Sequence, residues 1–268
     1  MRVEALRYLC CPACHGDLAA KQIDGEEVGQ GNLVCSGCRG AFPLRYGLPQ
    51  LRWPPILPEP DAREMAHFDL RASTYDRQMR AGARFLGISE RLERQSLVDR
   101  LRLRPGDAVL EVSVGTGSNA RPTADRAGQG GVLFGLDISE GMLRRCRAKL
   151  RRQRIAMHLC AGNASYLPFR DSVFNAVFHF SGINSFGEPA RVIQEMVRVA
   201  RPDARIVITD EGLSPQTRDT DLGRRLIEAN RIYTSEPPLH LLPDRGLKER
   251  RLDWAVYGAM WVLELTKA

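Results

Sequence analysis

The sequence lacks any long apolar run, and this absence limits where the protein can act. No stretch of its 268 residues approaches the roughly 18 consecutive apolar residues that a membrane-spanning helix requires. Residues 1–10 include Arg2, Glu4 and Arg7, so they do not form the apolar core of an export signal. We therefore expect a cytoplasmic protein without a membrane span.

Aromatic residues are also scarce, at 7% of the chain, and this scarcity helps to decide whether the positive charge of the chain marks a nucleic-acid-binding surface. The formal net charge is +7, and the densest group of basic residues lies between positions 144 and 154. Apolar residues accompany this group at helical spacing, among them Leu143, Cys146 and Leu150, and no aromatic residue interleaves it. The pattern favours the solvated face of an amphipathic helix over an RNA-binding surface.

The seven cysteines include two copies of the pattern Cys-x-x-Cys-x-Gly, at 11–16 and 35–40. An odd count without an export signal argues against a disulfide framework. A two-residue gap lets both thiolates of a pair face one ion, and two pairs complete a tetrahedral zinc site. The predicted zinc ligands are Cys11, Cys14, Cys35 and Cys38.

Four thiolates leave no open coordination position, so we expect the zinc to be structural. A module of about 50 residues has too small a core without such a metal. We expect the glycine after each pair to take a positive φ, and a polar hairpin between the pairs with turns at Asp24-Gly25 and 29–32. Chelation is expected to unfold this ribbon without greatly moving the melting of the rest.

The remainder of the chain alternates apolar strand patterns with helical ones, which is typical of a doubly wound α/β fold with a parallel sheet. Ser89 and Ser139 are candidate helix N-caps. The predicted strands are 108–112, 131–136, 155–160, 173–180 and 204–209, the predicted helices include 89–101, 189–200 and 216–232, and a closing hairpin is expected over 252–266.

The candidate cofactor site follows from two of these strand ends. Gly115 and Gly117 form a turn after the first strand, where the backbone can approach a ligand closely. Asp137 ends the second strand, where a carboxylate can accept both hydroxyls of a ribose. This pair of features fits NAD as well, but Glu111 at the end of the first strand suits a cationic ligand better than a pyrophosphate.

Two family resemblances add to this interpretation. Residues 7–51, with both cysteine pairs and the ending at 42–49, resemble the zinc domain of tRNA-methyltransferase activator proteins. Residues 64–212 resemble the class I S-adenosylmethionine (SAM)-dependent methyltransferases of ubiquinone and menaquinone biosynthesis in five ordered blocks, near 68–76, 109–117, 135–143, 162–175 and 195–205. We therefore predict a zinc ribbon at 1–51, a proline-rich linker at 52–62 and a Rossmann-like methyltransferase domain at 63–268.

The second resemblance implies SAM as cofactor and a small-molecule methyl acceptor. It assigns Glu111, Gly115 and Gly117 to the methionine part of SAM, Asp137 to the ribose, and Ile138, Met142, Asn163 and Ala164 to the adenine, with Tyr75 as a cover. His179 is a weak candidate for a general base, with a buried position in the core as the alternative.

Departures from the family pattern leave two alternatives open. Ser113-Val114 stands where the family has Gly-Cys, and Asn163 stands where it usually has Asp. One alternative is an RNA base methyltransferase, which the positive charge suits. The other is a degenerate, non-catalytic domain that binds a partner protein, which the departures suggest.

Overall fold

The computed structural model describes residues 1–20, 31–85 and 87–268, and the first part of the chain forms a ribbon. The ribbon begins with a 3₁₀ turn at Val3–Tyr8 and continues with β1 (Leu18–Ala20), β2 (Gly31–Cys35), β3 (Ala41–Arg45) and β4 (Leu48–Leu51). The predicted turn at Asp24-Gly25 lies outside the described residues, and of the second turn only Gly31 and Asn32 are described, at the start of β2.

The second part of the chain alternates helices and strands, as the sequence predicts. Its helices are α1 (Glu59–Arg71), α2 (Tyr75–Phe85), α3 (Glu90–Asp99), α4 (Ala120–Ala127), α5 (Glu140–Gln153), α6 (Pro189–Val199), α7 (Pro215–Arg218) and α8 (Asp221–Ala229). Its strands are β5 (Ala108–Val112), β6 (Val132–Asp137), β7 (His158–Gly162), β8 (Phe174–Phe180), β9 (Ala200–Glu211), β10 (Leu247–Ala255) and β11 (Met260–Lys267).

All described strands belong to one sheet with the order β1-β2-β3-β4-β7-β6-β5-β8-β9-β11-β10. Strands β7, β6, β5, β8 and β9 are parallel neighbours, while β11 runs antiparallel to both β9 and β10. The parallel strands are buried on both faces, as their nearly continuous apolar sequences require. Chain order reverses direction around β5, and ligands of such sheets bind at the carboxyl ends of the strands there.

The ribbon is part of this sheet. Strand β4 pairs in parallel with β7, with Gln50 opposite Ala161 and Leu51 opposite Gly162. A second seam joins Leu9 to Phe169 in an antiparallel bridge. Ribbon residues and α/β residues also share one hydrophobic core, which includes Leu9, Leu33, Phe42, Leu51, Phe134, Phe169 and Phe174. The ribbon therefore covers what would otherwise be an open sheet edge.

Several element boundaries differ from the predicted ones for local reasons. The third strand starts at His158 instead of 155, because Arg154 takes a left-handed conformation that ends α5. The predicted helix over 216–232 is divided, since the Thr220 hydroxyl accepts the N–H of Gly223 and starts α8. Helix α1 begins at Glu59, inside the predicted linker. No helix of the described residues is both long enough and apolar enough to span a membrane.

The basic helix and both predicted caps agree with the sequence analysis. Helix α5 buries Met142, Leu143, Cys146 and Leu150 and exposes its arginines, which confirms the amphipathic interpretation. The hydroxyl of Ser139 accepts the N–H of Met142, and that of Ser89 accepts the N–H of Leu92.

Candidate cofactor site and four-cysteine centre

The four predicted metal ligands converge in the ribbon. The Sγ atoms of Cys11, Cys14, Cys35 and Cys38 all lie within 4.8 Å of one another. The Cys11 and Cys38 sulfurs are 3.6 Å apart, and those of Cys14 and Cys35 are 3.5 Å apart. Zinc–sulfur bonds of about 2.3 Å in a tetrahedron place sulfurs about 3.8 Å apart, so the spacing fits a zinc ion.

The glycines after the cysteine pairs serve a different purpose from the predicted one. The positive φ belongs to the preceding residues, His15 at 58° and Arg39 at 62°. A Cβ at Gly16 would lie 3.0 Å from the Cys35 sulfur, and one at Gly40 would lie 3.3 Å from the Cys38 sulfur. Each glycine is therefore needed for the space beside a thiolate.

A cavity lies at the carboxyl ends of β5, β6 and β7, the edge at which open α/β sheets bind their ligands. Seven of the nine predicted cofactor residues line it: Tyr75, Gly115, Asp137, Ile138, Met142, Asn163 and Ala164.

Asp137 is fixed by two backbone donors at the end of β6. Its Oδ2 accepts the N–H of Gly115 at 2.8 Å, and its Oδ1 accepts the N–H of Ser139 at 2.9 Å. The side chain is 7% exposed, and burial raises its pKa to about 6 despite these two donors. Each carboxylate oxygen keeps a free lone pair, so the group can still accept hydrogen bonds from a ligand.

Two predicted residues, Glu111 and Gly117, do not line this cavity. The Glu111 carboxyl is buried, accepts the Asn119 amide at 2.7 Å, and has a pKa raised to about 7 by burial. Its Oε2 has no hydrogen-bond partner among the described residues. A Cβ at Gly117 would lie 2.6 Å from the Cys146 sulfur, so this glycine allows α5 to pack against the turn.

The glycine turn itself carries a strained residue. Ser113, which stands where the resembling family has glycine, takes a φ of 58° and lines the cavity. A non-glycine residue in this region costs on the order of 1 kcal/mol. Ser113 therefore holds a left-handed backbone conformation that glycine would adopt without this cost.

Helices α1 and α2 close the cavity from above. Asp69 of α1 accepts hydrogen bonds from the Ser139 hydroxyl at 2.6 Å and the Gly141 N–H at 2.7 Å, at the start of α5. Asp76 of α2 accepts the Thr116 hydroxyl at 2.5 Å and forms an ion pair with Lys149 at 2.9 Å. These contacts hold Tyr75, at the start of α2, against the cavity.

Arg52, just after β4, connects the ribbon to the cavity. Its Nε donates to the Ile138 carbonyl at 3.0 Å, and its guanidinium also contacts Glu140 at 3.1 Å and Gln50 at 2.9 Å. Ile138 lines the cavity next to Asp137, so a residue contributed by the ribbon end fixes part of the wall. Sequence analysis missed this role because nothing local in 52–62 indicates it.

A second cavity lies on the other side of Phe180, which lines both. Its apolar lining includes Met79, Ala83, Ile88, Val256, Ala259 and Met260, and its polar lining includes Glu90, Glu93, Arg94, Glu211 and Tyr233. The Ser181 hydroxyl, which lines the first cavity, donates to both Glu211 oxygens at 3.1 and 2.8 Å. Burial, together with the adjacent Asp210 carboxyl, raises the pKa of Glu211 to about 8.

The structure places His179, the weak candidate base, away from both cavities. The ring is completely buried, and its Nδ1 donates to the Val112 carbonyl at 3.1 Å. Burial lowers its pKa, which keeps the imidazole neutral. His179 therefore occupies the buried core position that the sequence analysis gave as the alternative.

Comparison with known proteins agrees with both parts of this architecture. Residues 110–208 match the family model of the methyltransferase domain, and residues 6–47 match that of Trm112p-like proteins. A structure of the Haloferax volcanii Trm112 methyltransferase activator in complex with a methyltransferase shares the fold at 16% identity. Its TM-score is 0.56, and the match covers 75% of this chain and 97% of the matched one.

Curated relatives match the α/β part. A demethylmenaquinone methyltransferase from Beutenbergia cavernae is 35% identical over 126 residues, which are 47% of this chain and 50% of that protein. A ubiquinone/menaquinone biosynthesis C-methyltransferase from Bordetella parapertussis is 33% identical over 159 residues, or 58% of this chain and 59% of that one. The chain thus spans about half the length of the curated relatives it matches.

The fold, the cavity and the matches together define the class. The α/β part has the Rossmann-like fold of class I methyltransferases, and its residues 110–208 match the methyltransferase domain model. The part before it is a Trm112p-like ribbon with a four-cysteine centre, and the two resemblances noted in the sequence are confirmed.

Proposed function

We propose that this protein transfers a methyl group from SAM to a small-molecule acceptor. The observation that carries the proposal is the cavity at the ends of β5 and β6, where Asp137 is held by Gly115 and Ser139. The curated relatives are named as methyltransferases of menaquinone and ubiquinone biosynthesis, which supports a small acceptor.

The lining residues suit the parts of SAM. Asp137 would accept hydrogen bonds from the ribose hydroxyls, and Ile138 and Met142 would flank the adenine. Gly115 has open space beside its Cα, so the backbone can approach the methionine part. Bound SAM would supply an electrophilic methyl group on a sulfonium, and the protein's tasks are then alignment and exclusion of water.

The second cavity is suited to the acceptor. Arg94 forms an ion pair with Glu90 at 2.9 Å and donates to Asn119 at 3.0 Å, so Glu90 already balances the positive charge in the described lining. The remaining lining is mainly apolar. We infer an uncharged, largely apolar acceptor for this cavity.

We also propose one structural zinc ion in the ribbon. The sulfur spacing supports tetrahedral zinc, and four cysteines fill its coordination. Metal analysis of the purified chain should give one zinc per molecule.

Isothermal titration with S-adenosylhomocysteine, the demethylated form of SAM, tests the cofactor assignment. We expect binding with a Kd on the order of 1 µM, and a loss of at least about tenfold in Asp137→Ala, because the ribose contacts are removed. Asp125→Ala, an exposed carboxylate on α4, is the matched control and should bind as the wild type does. Equal affinity of wild type and Asp137→Ala would refute the ribose assignment.

A further inference from the structure

Asp61, in the first turn of α1, is a buried carboxylate on the wall of the first cavity. It is 5% exposed and lies in the segment that the sequence predicts to be a linker. Its Oδ2 accepts the Asn163 side-chain amide at 2.9 Å, and its Oδ1 accepts the N–H of Gly187 at 3.1 Å. These two contacts fix the carboxylate between the end of β7 and the loop that precedes α6.

Asn163 uses both polar atoms of its side-chain amide in contacts within the protein. Its Oδ1 accepts the N–H of Ser165 at 3.0 Å and caps the 3₁₀ turn Ala164–Tyr166, while its Nδ2 donates to Asp61. The family resemblance assigns Asn163 to the adenine. In the structure, the asparagine instead orients a carboxylate that belongs to another element.

The Asp61 carboxylate has unused capacity for hydrogen bonds. An ionised carboxylate offers about four lone-pair sites, and the two contacts described use two of them. Among the residues the structure describes, no Lys, Arg or His forms an ion pair with it. A buried carboxylate that lacks a cationic partner is stabilised by additional N–H donors. A ligand in the cavity could supply such a donor, because Asp61 lines the cavity wall.

We propose that Asp61 selects an amino-bearing purine by accepting a hydrogen bond from its exocyclic amine, with Asn163 as the positioning residue. The inference rests on the proposed function, since it assumes that the nucleoside of SAM occupies the first cavity. The purine would lie beside Met142 and Ala164, which also line the cavity, and a purine with a carbonyl in place of the amine would oppose oxygen to oxygen at Asp61.

The test compares two ligands by titration calorimetry on the full, zinc-loaded chain. S-adenosylhomocysteine carries the amine, and S-inosylhomocysteine carries a carbonyl in its place. Wild type should prefer the adenosyl compound by about 100-fold, because the inosyl carbonyl leaves a buried acceptor unpaired. Asp61→Asn, whose amide can present either an acceptor or a donor, should reduce the preference to a few-fold or invert it.

Two further variants keep the result interpretable. Asp61→Ala removes the carboxylate entirely and should also abolish the preference, and Glu59→Gln, an exposed carboxylate on the same helix, should retain it. Thermal melting of each variant verifies folding. Undiminished discrimination in folded Asp61→Asn or Asp61→Ala overturns the role of Asp61. A wild type that binds neither ligand overturns the proposed function, and the inference with it.

Discussion

The ribbon and the α/β domain differ in what holds each of them together. In the ribbon, four thiols converge on one point, and glycines beside them leave room for the sulfurs. The α/β domain instead buries long apolar strands on both faces of a sheet. Both regions nevertheless contribute to one sheet and one core. A boundary between motifs in the sequence is therefore not a boundary between independently stable units.

Metal removal has the largest expected effect on this shared structure. Because β4 and Leu9 bridge to the α/β domain, chelation should destabilise the whole chain, contrary to the expectation from the sequence. Loss of several kcal/mol of metal-linked stability should lower the Tm by about 10 °C or more. Calorimetry of the zinc-loaded chain, the chelated chain and Cys35→Ser measures this. Two transitions, with only the smaller one shifted, would show that the regions are independent.

Ionisation of one buried acid near the cavities, Glu211, should destabilise the α/β domain. Unfolding measurements at several pH values can detect this effect. The folded chain holds a proton on Glu211 up to about pH 8, whereas an unfolded glutamate releases it near its ordinary value of 4.5. The protonated Glu211 side chain therefore makes its full contribution to the free energy of unfolding below about pH 4.5, and this contribution is lost as the pH rises towards 8. The expected slope is at most about 1.4 kcal/mol per pH unit.

Urea unfolding at pH 5.5, 6.5 and 7.5 measures this slope. Glu211→Gln cannot ionise, so its unfolding free energy should fall less with pH than that of the wild type. Glu228→Gln, an exposed glutamate on α8, is the control and should follow the wild type. Parallel slopes for Glu211→Gln and wild type would contradict the raised pKa.

The smallest expected effect concerns the contact that Arg52 makes between the ribbon and the α/β domain. Arg52→Ala removes the donor to the Ile138 carbonyl, so S-adenosylhomocysteine should bind about tenfold more weakly, equivalent to about 1.4 kcal/mol. Arg45→Ala is the matched control, since Arg45 approaches the same Glu140 at 3.9 Å but is exposed. Calorimetry should show Arg45→Ala within twofold of wild type. Equal affinities of wild type, Arg52→Ala and Arg45→Ala for S-adenosylhomocysteine would exclude a role of Arg52 in shaping the cavity.

Much of the fold could be predicted from the sequence because its signals are local. Strand 108–112 matches β5, and Ser89 and Ser139 cap helices where predicted. The pairing of β4 with β7 could not be predicted, since it depends on which edge the ribbon meets after a connection without periodicity. The division of the helix at Thr220 was missed because a side-chain cap competes with helical continuity there.

The candidate site divides in the same way. Gly115 and Asp137 follow strand ends directly, so the topology of the sheet brings them together. Asp61 lines the cavity and Arg52 donates to the carbonyl of its wall residue Ile138; both were missed because they lie in a segment predicted to be a linker. Glu111 was assigned to the cavity because it ends β5, but its side chain lies beneath the turn, against Asn119. A position at the end of a strand determines where the backbone lies, but it does not determine which way the side chain points.

Only residues 52–58 connect β4 to α1, and this short connection makes the contact between the ribbon and the α/β domain independent of protein concentration. Two surfaces tethered this closely meet at an effective concentration on the order of millimolar, whatever the number of molecules in solution. An activator and a methyltransferase on separate chains must instead find each other at their actual concentrations. In this protein the docked arrangement of the ribbon should persist in a cell that contains only a few copies.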